Sequence, residues 1–300
     1  MGVIPGTPPR VLISAASWEP RFALGLGRLL ERTCHETVLL LRFREWNSKT
    51  TGAFGEARRL CLSASRALSH CELSLTNPAA TWFDLARLIE ENVQQGANVT
   101  VDLSTMPREC VWTVLRLLEQ KHATKDFAYH CPEGYGEWLS RDPQRPRFVL
   151  RLSGVAHLGR PTVLLVVTGF DPERTRQLIR TYEPKLTILV EHSGASFDNQ
   201  NRNVKSHAPL LRPSGGIDAQ MVSTDCYSVS DCFDSISACV RPYASTHNIV
   251  ATSLGPKVSA LAVYRLLKEF PETALAYAPS GEYNEEYSYG LGETILGAID

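Results

Sequence analysis

The chain has 300 residues, 43% of them hydrophobic, and this length favours two domains with sizeable cores. Its formal net charge of −1 excludes a general electrostatic attraction to nucleic acid or to an anionic membrane, so any anion site must be local. No apolar run approaches the roughly 20 residues that span a bilayer, and the eight cysteines show no CxxC spacing. We expect a cytoplasmic protein with reduced cysteines, no metal site and no cofactor.

Strands and helices alternate along the first half of the chain. The stretch RVLISAASWEPRFALGLGRLLE, from Arg10, predicts a strand, a short polar joint and a helix. A strand TVLLLRF follows Glu36, and LARLIEENVQQG, from Leu85, predicts an amphipathic helix. NVTVDLSTMPRECVWTVLRLLEQ, from Asn98, predicts another strand, joint and helix. Apolar strands separated by helices of about 10 to 15 residues are typical of a parallel sheet covered on both faces.

The second half has the same order of elements. TVLLVVTGFDPERTRQLIRTYE, from Thr162, aligns with the stretch from Arg10 at an offset of 152, and HNIVATSLGPKVSALAVYRLLKEF, from His247, aligns with the stretch from Asn98 at an offset of 149. We infer an internal duplication. It predicts an α/β fold of two tandem Rossmann-like units with mainly parallel sheets, residues 1–155 and 156–300, packed as an internal pseudo-dimer. FVLRL, residues 148–152, is predicted as the last edge strand of the first half.

Four short polar joints lie between a strand and a helix, and ligands of open parallel sheets bind outside the carboxyl ends of the strands. Backbone N–H groups at the helix starts favour a phosphate or carboxylate there. The candidate ligand-binding residues of the first half are Ser14, Trp18, Glu19, Arg21, Asp102, Ser104, Thr105 and Arg108. Those of the second half are Thr168, Gly169, Phe170, Asp171, Arg174, Thr252, Ser253, Gly255, Lys257 and, in a later aromatic segment, Tyr283.

The same residues also have a purely structural interpretation. Serine and threonine before a proline are typical helix N-caps, first-turn acids complement the helix dipole, and the aromatic residues of the joints can cover a core. Arg108 and Lys257 favour an anionic ligand, because a cation in a first helical turn opposes the dipole. Asp102 offers Arg108 an internal partner, whereas its counterpart in the second half is Ala251. Lys257 is therefore the better ligand candidate.

Other parts of the sequence carry weaker signals. Residues 192–216 are rich in Asn, Ser, Gly and Pro and predict a long loop, which in a compact domain is commonly functional or mobile. His192 and His207 in this segment are candidates for proton transfer. The motifs of serine hydrolases, zinc proteases, P-loops and dinucleotide sites are not present in a fitting context. The sequence leaves open whether the protein is an enzyme.

The joint TSLGPK, residues 252–257, resembles the second motif of CARF domains, the Rossmann-like sensors that bind cyclic oligoadenylates across a two-fold interface. Residues 14–18 and 168–170 lie where the first ligand-binding motif of that family falls. The first half departs from the family pattern, because Ser-Thr-Met-Pro-Arg stands where a glycine-rich turn is expected. The resemblance implies ligand contacts from Ser14, Ser104, Thr105 and Arg108 in one half, and from Thr168, Gly169, Ser253, Gly255 and Lys257 in the other.

Three functions are compatible with these patterns. The first is a nucleotide-binding regulatory or sensor protein that holds a cyclic oligonucleotide at the joints between the repeats. The second is an enzyme on a nucleotide or phosphorylated substrate, with Arg108 or Lys257 stabilising charge and Glu19 or Asp171 transferring a proton. The third is a scaffold or adaptor in a multiprotein defence system. CARF sensors usually carry a fused effector, for which this chain has no room. The resemblance therefore implies a single-chain pseudo-dimeric sensor, a ring-opening nuclease, or an adaptor whose partner is a separate effector protein.

Overall fold

The computed structural model describes residues 10–194, 207–211 and 218–299. These residues form two compact units. Unit 1 contains residues 10–134 and 288–299, and unit 2 contains the described residues between 135 and 287. Each unit is an α/β fold built on a mainly parallel six-stranded sheet.

In unit 1 the described strands and helices alternate in chain order. The strands of its sheet are β1 (Arg10–Ala15), β2 (Thr37–Phe43), β3 (Ala67–Leu73), β4 (Asn98–Asp102), β5 (Thr124–His130) and β16 (Thr294–Ile299). The helices are α1 (Pro20–Arg32), α2 (Asn47–Ser63), α3 (Pro78–Asn92) and α4 (Arg108–Gln120). The sheet order is β16-β5-β4-β1-β2-β3, with β16 antiparallel to β5 and the other neighbours parallel.

Unit 2 has a sheet of the same kind. Its strands are β8 (Arg147–Phe148), β9 (Thr162–Val167), β10 (Leu186–His192), β11 (Asp218–Thr224), β12 (Asn248–Ser253) and β13 (Ala274–Tyr277), in the order β11-β10-β9-β12-β13-β8. The helices are α5 (Pro172–Tyr182), α6 (Val229–Val240) and α7 (Ser259–Glu269). A separate antiparallel pair joins β7 (Ser140–Pro143) to β14 (Ser280–Tyr283), and the short strands β6 (Gly134–Tyr135) and β15 (Ser288–Tyr289) complete the series.

The apolar patterns explain these elements. β1 and β9 are short runs of buried aliphatic residues, as expected for strands covered on both faces. On α1, Phe22, Leu26 and Leu29 recur at helical spacing and pack on Leu12 and Leu40 of the sheet. Burial of each such side chain contributes about 1.5–3 kcal/mol, so this face holds α1 on the sheet.

The edge strands depart from the sequence prediction. FVLRL, predicted as an edge strand of the first half, begins with Phe148 of β8, which pairs with β13 in unit 2. The last strand, β16, pairs with β5 of unit 1, where Ile295 lies opposite Tyr129. The assignment of FVLRL to the first half was therefore wrong. Each predicted repeat thus contributes one edge strand to the sheet of the other unit: β8 to unit 2 and β16 to unit 1. For this reason the chain passes from unit 1 to unit 2 after Gly134 and returns to unit 1 after Tyr287.

The strand order places the candidate joints. The five parallel strands follow the order β5-β4-β1-β2-β3 in unit 1 and β13-β12-β9-β10-β11 in unit 2. The order reverses between β1 and β4, and between β9 and β12, which are the positions where open α/β sheets bind ligands. All four polar joints follow these strands. The common order supports the internal duplication, which stays a prediction.

No helix in the described ranges is both long and apolar enough to cross a membrane.

Candidate functional site

Three polar residues of unit 1 bind one another between β1 and β4. The Asp102 carboxylate accepts hydrogen bonds from the Ser14 hydroxyl at 2.8 Å, and from the Ser104 backbone N–H and hydroxyl at 3.0 and 2.6 Å. The Ser104 hydroxyl also accepts the backbone N–H of His130 at 2.8 Å. All three side chains are fully buried. The network ties the ends of β1, β4 and β5 together and satisfies its own polar groups.

The hydroxyl groups of these joints do not cap helices. The Thr105 hydroxyl donates to the carbonyl of Ala15 at 2.7 Å, and α4 begins after Pro107 without a side-chain cap. In unit 2 the Ser253 hydroxyl bonds the Ser259 hydroxyl at 2.8 Å. The N-cap interpretation of Ser104, Thr105 and Ser253 was therefore wrong, since these side chains connect strand ends to the segments beside them.

Glu19 and Arg21 form a buried ion pair at the start of α1. The Arg21 guanidinium reaches the Glu19 carboxylate at 2.8 Å and also donates to the carbonyl of His130 at 3.3 Å. Ser288 donates its hydroxyl to the same carboxylate at 2.6 Å. Arg21 is 1% exposed and Glu19 is 7% exposed. This carboxylate neutralises a buried cation, which is a structural role that anchors α1 to the end of β5.

Trp18 and Arg108 are the partly exposed candidates of unit 1. The Trp18 ring meets Trp46, which follows β2, edge to face at 5.1 Å between centroids. The ammonium group of Lys49 lies over the Trp18 ring at 5.4 Å. The structure thus places an aromatic ring and a cation beside the carboxyl ends of β1 and β2, where sequence reasoning had named the ring alone.

In unit 2 the two joints touch through glycines. A side chain at Gly169 would overlap the carbonyl of Leu254, and one at Gly255 would come within 2.8 Å of the carbonyl of Thr168. The backbone N–H groups of Leu254 and Gly255 both donate to the carbonyl of Val167, at 2.7 and 3.1 Å. Only glycine permits this close approach of the segments that follow β9 and β12.

Two hydroxyl candidates of unit 2, Thr168 and Thr252, are buried. The Thr168 hydroxyl donates to the carbonyl of Val190 at 3.0 Å, which links β9 to β10. Thr252 is fully buried, and its hydroxyl has no hydrogen-bond partner within the described part of the chain. Because a buried unsatisfied hydroxyl costs free energy, the Thr252 side chain is a group that a bound molecule or water would satisfy.

Aromatic and cationic groups flank the glycine contact. Phe170 is partly exposed and lies 5.6 Å from the ring of Tyr135, which in turn lies 6.3 Å from Tyr287. Lys257 is partly exposed. Tyr283 belongs to β14, opposite Ser140 of β7, so it lies on the small antiparallel pair rather than at a joint. Tyr287 was not singled out from the sequence, where it is one tyrosine in a tyrosine-rich segment.

Asp171 and Arg174 lie in the first turn of α5. The Asp171 carboxylate caps the helix by accepting the backbone N–H groups of Glu173 and Arg174, at 3.0 and 3.3 Å. The interpretation of Asp171 as an acid that complements a helix N-terminus is therefore correct. The Arg174 guanidinium turns inward and donates to the carbonyl of Ala278, just beyond β13.

The two histidines of the long loop are held by internal contacts. His192 Nδ1 accepts the backbone N–H of Cys226 at 3.0 Å, and burial lowers the pKa of this histidine. His207 is fully buried and bonds the Thr175 hydroxyl at 3.0 Å. Neither arrangement points to proton transfer with a substrate. The remainder of the predicted loop, residues 195–206 and 212–216, lies outside the described residues.

Within the described ranges, no group of three or more His, Cys, Asp and Glu side chains is arranged to hold a metal ion. All eight cysteines are free. A hydrogen bond with Cys232, followed by burial, raises the pKa of the Cys226 thiol, which keeps it protonated.

Comparison with known proteins gives a fold and no family. No protein-family model and no curated protein matches the chain. The structure of a type III CRISPR defence DNA nuclease activated by cyclic oligoadenylate is similar, with a TM-score of 0.60 and 10% sequence identity. The match covers 89% of this chain and 65% of that one, so the chain spans less than two thirds of the nuclease.

Two further solved structures match more weakly. Can2 from Sulfobacillus thermosulfidooxidans in complex with cyclic tetra-adenylate has a TM-score of 0.31 and 10% identity, over 39% of this chain and 31% of that one. The cytoplasmic domain of a prokaryotic cation chloride cotransporter has a TM-score of 0.30 and 10% identity, over 93% and 99%. Neither supports an argument at these scores. The chain thus has a two-unit Rossmann-like α/β fold similar to that of the CRISPR defence nuclease.

Proposed function

We propose that this chain is a nucleotide-binding sensor or regulatory protein, that its ligand is a cyclic oligoadenylate, and that the glycine contact of unit 2 is central to the binding site. One observation carries the proposal. Where the strand order reverses, Gly169 and Gly255 bring two joints together, and each glycine is followed closely by a partly exposed ligand candidate, Phe170 or Lys257. An aromatic ring stacks on a base, and an ammonium group neutralises a phosphate.

The proposal assigns different roles to the two units. The joint of unit 1 is closed by the Asp102 network and by the Glu19–Arg21 ion pair, all buried. These groups hold the strand ends in place, and any ligand contact from unit 1 falls to Trp18 and Arg108, which are partly exposed. In unit 2 the glycines let the backbones of the two joints approach each other closely. Unit 1 lacks this glycine pair, since the counterpart of Gly255 there is Met106.

The fold likeness adds support for the ligand class. A nuclease of the same fold is activated by cyclic oligoadenylate, and the present chain spans 65% of its length. By analogy, we propose that ligand binding to this chain regulates a separate effector protein. Co-elution of the chain with a second protein only when the ligand is present would support this role, and co-elution that does not depend on the ligand would favour a scaffold.

Melting temperature measured with a series of ligands tests the proposal. Cyclic oligoadenylates of different ring size are compared with linear oligoadenylates, AMP and ATP at concentrations well above a micromolar dissociation constant. We expect one ring size to raise the melting temperature in a concentration-dependent way, because a ligand that binds only the folded state stabilises it. A flat response to the whole series contradicts the proposal.

Mass spectrometry separates sensing from turnover. Small molecules carried through purification identify the natural ligand, and the same method follows the bound ring during prolonged incubation. A sensor leaves the ring intact. Linear products at a rate above the protein-free control would instead favour an enzyme that opens the ring.

A further inference from the structure

Arg174 is a buried cation without an ion-pair partner in the described part of the chain. Its side chain is 7% exposed, and among the described residues its guanidinium has one hydrogen-bond acceptor, the carbonyl of Ala278. The buried Nε atom has no hydrogen-bond partner in these ranges. A guanidinium is a cation with five donors, so most of the donors have no acceptor among the residues that the structure describes.

Two features make this arrangement unfavourable in the absence of an anion. Removal of a charged group from water costs several kcal/mol unless an opposite charge and hydrogen bonds compensate for it. Arg174 also lies in the first turn of α5, where the helix dipole opposes a cation. The nearby Asp171 carboxylate caps the helix with one oxygen, and its other, buried oxygen has no hydrogen-bond partner among the described residues, Arg174 included.

Unit 1 shows what compensates a first-turn arginine at the equivalent joint. Arg21 lies in the first turn of α1 and donates to the carbonyl of His130 at the end of β5, just as Arg174 in α5 donates to the carbonyl beyond β13. In unit 1 the Glu19 carboxylate accepts from two other guanidinium nitrogens, at 2.8 and 2.9 Å, and Ser288 donates its hydroxyl to that carboxylate. Among the described residues of unit 2, no carboxylate takes this place beside Arg174.

Two further buried polar atoms belong to residues near Arg174 or Ala278 along the chain. Gln177, one turn later on α5, donates to the carbonyl of Pro143 at 3.3 Å, while its buried Oε1 has no hydrogen-bond partner among the described residues. Ser280 pairs with Pro143 across β14 and β7 and lies two residues beyond Ala278, and its buried hydroxyl likewise has no partner in the described ranges. Ordered water could satisfy the amide and the hydroxyl, but water does not neutralise a guanidinium.

We propose that Arg174 and the Ser280 hydroxyl bind an anionic phosphate group, which takes the place that the Glu19 carboxylate takes in unit 1. Arginine matches a phosphate with two parallel N–H···O bonds, and a serine hydroxyl adds a third donor. The phosphate is either free inorganic phosphate or a phosphate of the proposed nucleotide. The site stands on Arg174 and its neighbours, and it does not depend on the proposed sensor function.

The test is the melting temperature of the full chain as a function of inorganic phosphate, at constant ionic strength made up with chloride. Three proteins are compared: the wild type, Arg174→Met, and the control Arg180→Met, which removes an exposed arginine from the same helix. We expect phosphate to stabilise the wild type and the control, and not Arg174→Met. In phosphate-free buffer Arg174→Met melts at or above the wild-type temperature, because it removes an uncompensated buried charge.

Two results would overturn the site. One is an equal phosphate-dependent rise in the wild type and in Arg174→Met. The other is no rise in the wild type together with a loss of stability in Arg174→Met, which would make Arg174 a structural residue. If Arg174→Met does not fold, Arg174→Lys replaces it. Lysine cannot bind a phosphate through a planar fork, so the phosphate concentration at half-effect should increase at least several-fold, and an unchanged half-effect concentration would contradict the proposal.

Titration with cyclic oligoadenylate distinguishes the two sources of phosphate. If the nucleotide supplies the group, Arg174→Met weakens its binding and inorganic phosphate competes with it. If free phosphate is the ligand, the phosphate response depends on Arg174 and the nucleotide has no effect on it. The second result keeps the Arg174 site and leaves the sensor to be judged by the series of cyclic and linear ligands, so the failure of one proposal is distinguishable from the failure of the other.

Discussion

The Ser14 hydroxyl donates a hydrogen bond of 2.8 Å to the Asp102 carboxylate, and both side chains are fully buried where β1 and β4 end. Unit 2 has no such bond at this position, since the residue aligned with Asp102 is Ala251. The two units therefore close the same point of the fold differently, unit 1 with a buried carboxylate and unit 2 with glycines.

Asp102→Ala should destabilise the protein. The change removes the acceptor for the Ser14 hydroxyl and for both donors of Ser104, and buried donors without an acceptor cost about 1–3 kcal/mol each. We expect a loss of about 3 kcal/mol or more in the free energy of unfolding, measured with urea. Asp126→Ala, at an exposed position of β5, should change it by less than about 0.5 kcal/mol. Equal effects of the two changes would show that the Asp102 network does not contribute to the free energy of unfolding.

Two glycines of α1 should respond to alanine with opposite signs. A side chain at Gly25 would overlap the imidazole ring of His130, whereas one at Gly27 would meet Leu60 at an ordinary 3.8 Å. Gly25→Ala should cost about 1–3 kcal/mol through overpacking. Gly27→Ala should stabilise the helix by about 0.5–1 kcal/mol, because alanine loses less backbone entropy. Thermal unfolding of both variants checks the difference, and a destabilised Gly27→Ala would count against this packing of α1.

The glycine contact of unit 2 should be required for ligand binding. In Gly169→Ala the new methyl group would overlap the carbonyl of Leu254, so the joints after β9 and β12 must separate. We expect at least about a tenfold loss of affinity for the cyclic oligoadenylate, which corresponds to about 1.4 kcal/mol. Gly52→Ala is the control, because nothing lies within 4 Å of the added carbon on α2. Wild-type affinity in Gly169→Ala would remove the basis for placing the site here.

His35 should make stability depend on pH. Burial, followed by the positive charges of Arg10 and Arg66, lowers its pKa from 6.5 to about 4, and the buried ring bonds the hydroxyls of Thr33 and Thr100. The unfolded chain therefore takes up this proton first as the pH falls. The stabilisation by neutral His35 is complete above pH 6.5 and is lost as the pH falls from 6.5 to about 4, at no more than about 1.4 kcal/mol per pH unit.

Denaturant unfolding at a series of pH values measures this effect. The wild type and His35→Gln share all other titrating groups, so the difference between their stabilities isolates the histidine. That difference should shrink as the pH falls through this range. A difference that is the same at pH 7 and at pH 4.5 would contradict a buried neutral His35.

Local patterns predicted the parallel core of both sheets, because buried aliphatic runs and amphipathic helices are encoded by neighbouring residues. The partners of the edge strands were not predictable in this way. Phe148 joins β13, and Ile295 joins β5 from the far end of the chain, so only tertiary packing decides these pairings. The N-cap prediction for the Ser104 hydroxyl was wrong for the same reason. Its hydrogen-bond partners are the nearby Asp102 carboxylate and the backbone of His130, 26 residues away.

The sequence predicted which residues lie at the joints, but not which of them are buried and neutralised by other side chains. The sequence placed Arg21 and Arg174 together as first-turn arginines of equivalent joints. It could not show that Glu19 neutralises the first of them, or that Asp171 is used in capping α5 and leaves the second without an ion-pair partner among the described residues. Whether a side chain caps a helix or pairs with an arginine depends on rotamer and packing, which a one-dimensional pattern does not carry.

Isothermal titration of the purified chain with cyclic oligoadenylate tests the central claim most directly. The account predicts saturable binding to the wild type, at least about tenfold weaker binding to Lys257→Ala, and wild-type binding to Lys268→Ala, which removes an exposed lysine from the last turn of α7. No saturable heat with any ring size, or equal binding by Lys257→Ala and the wild type, would contradict it.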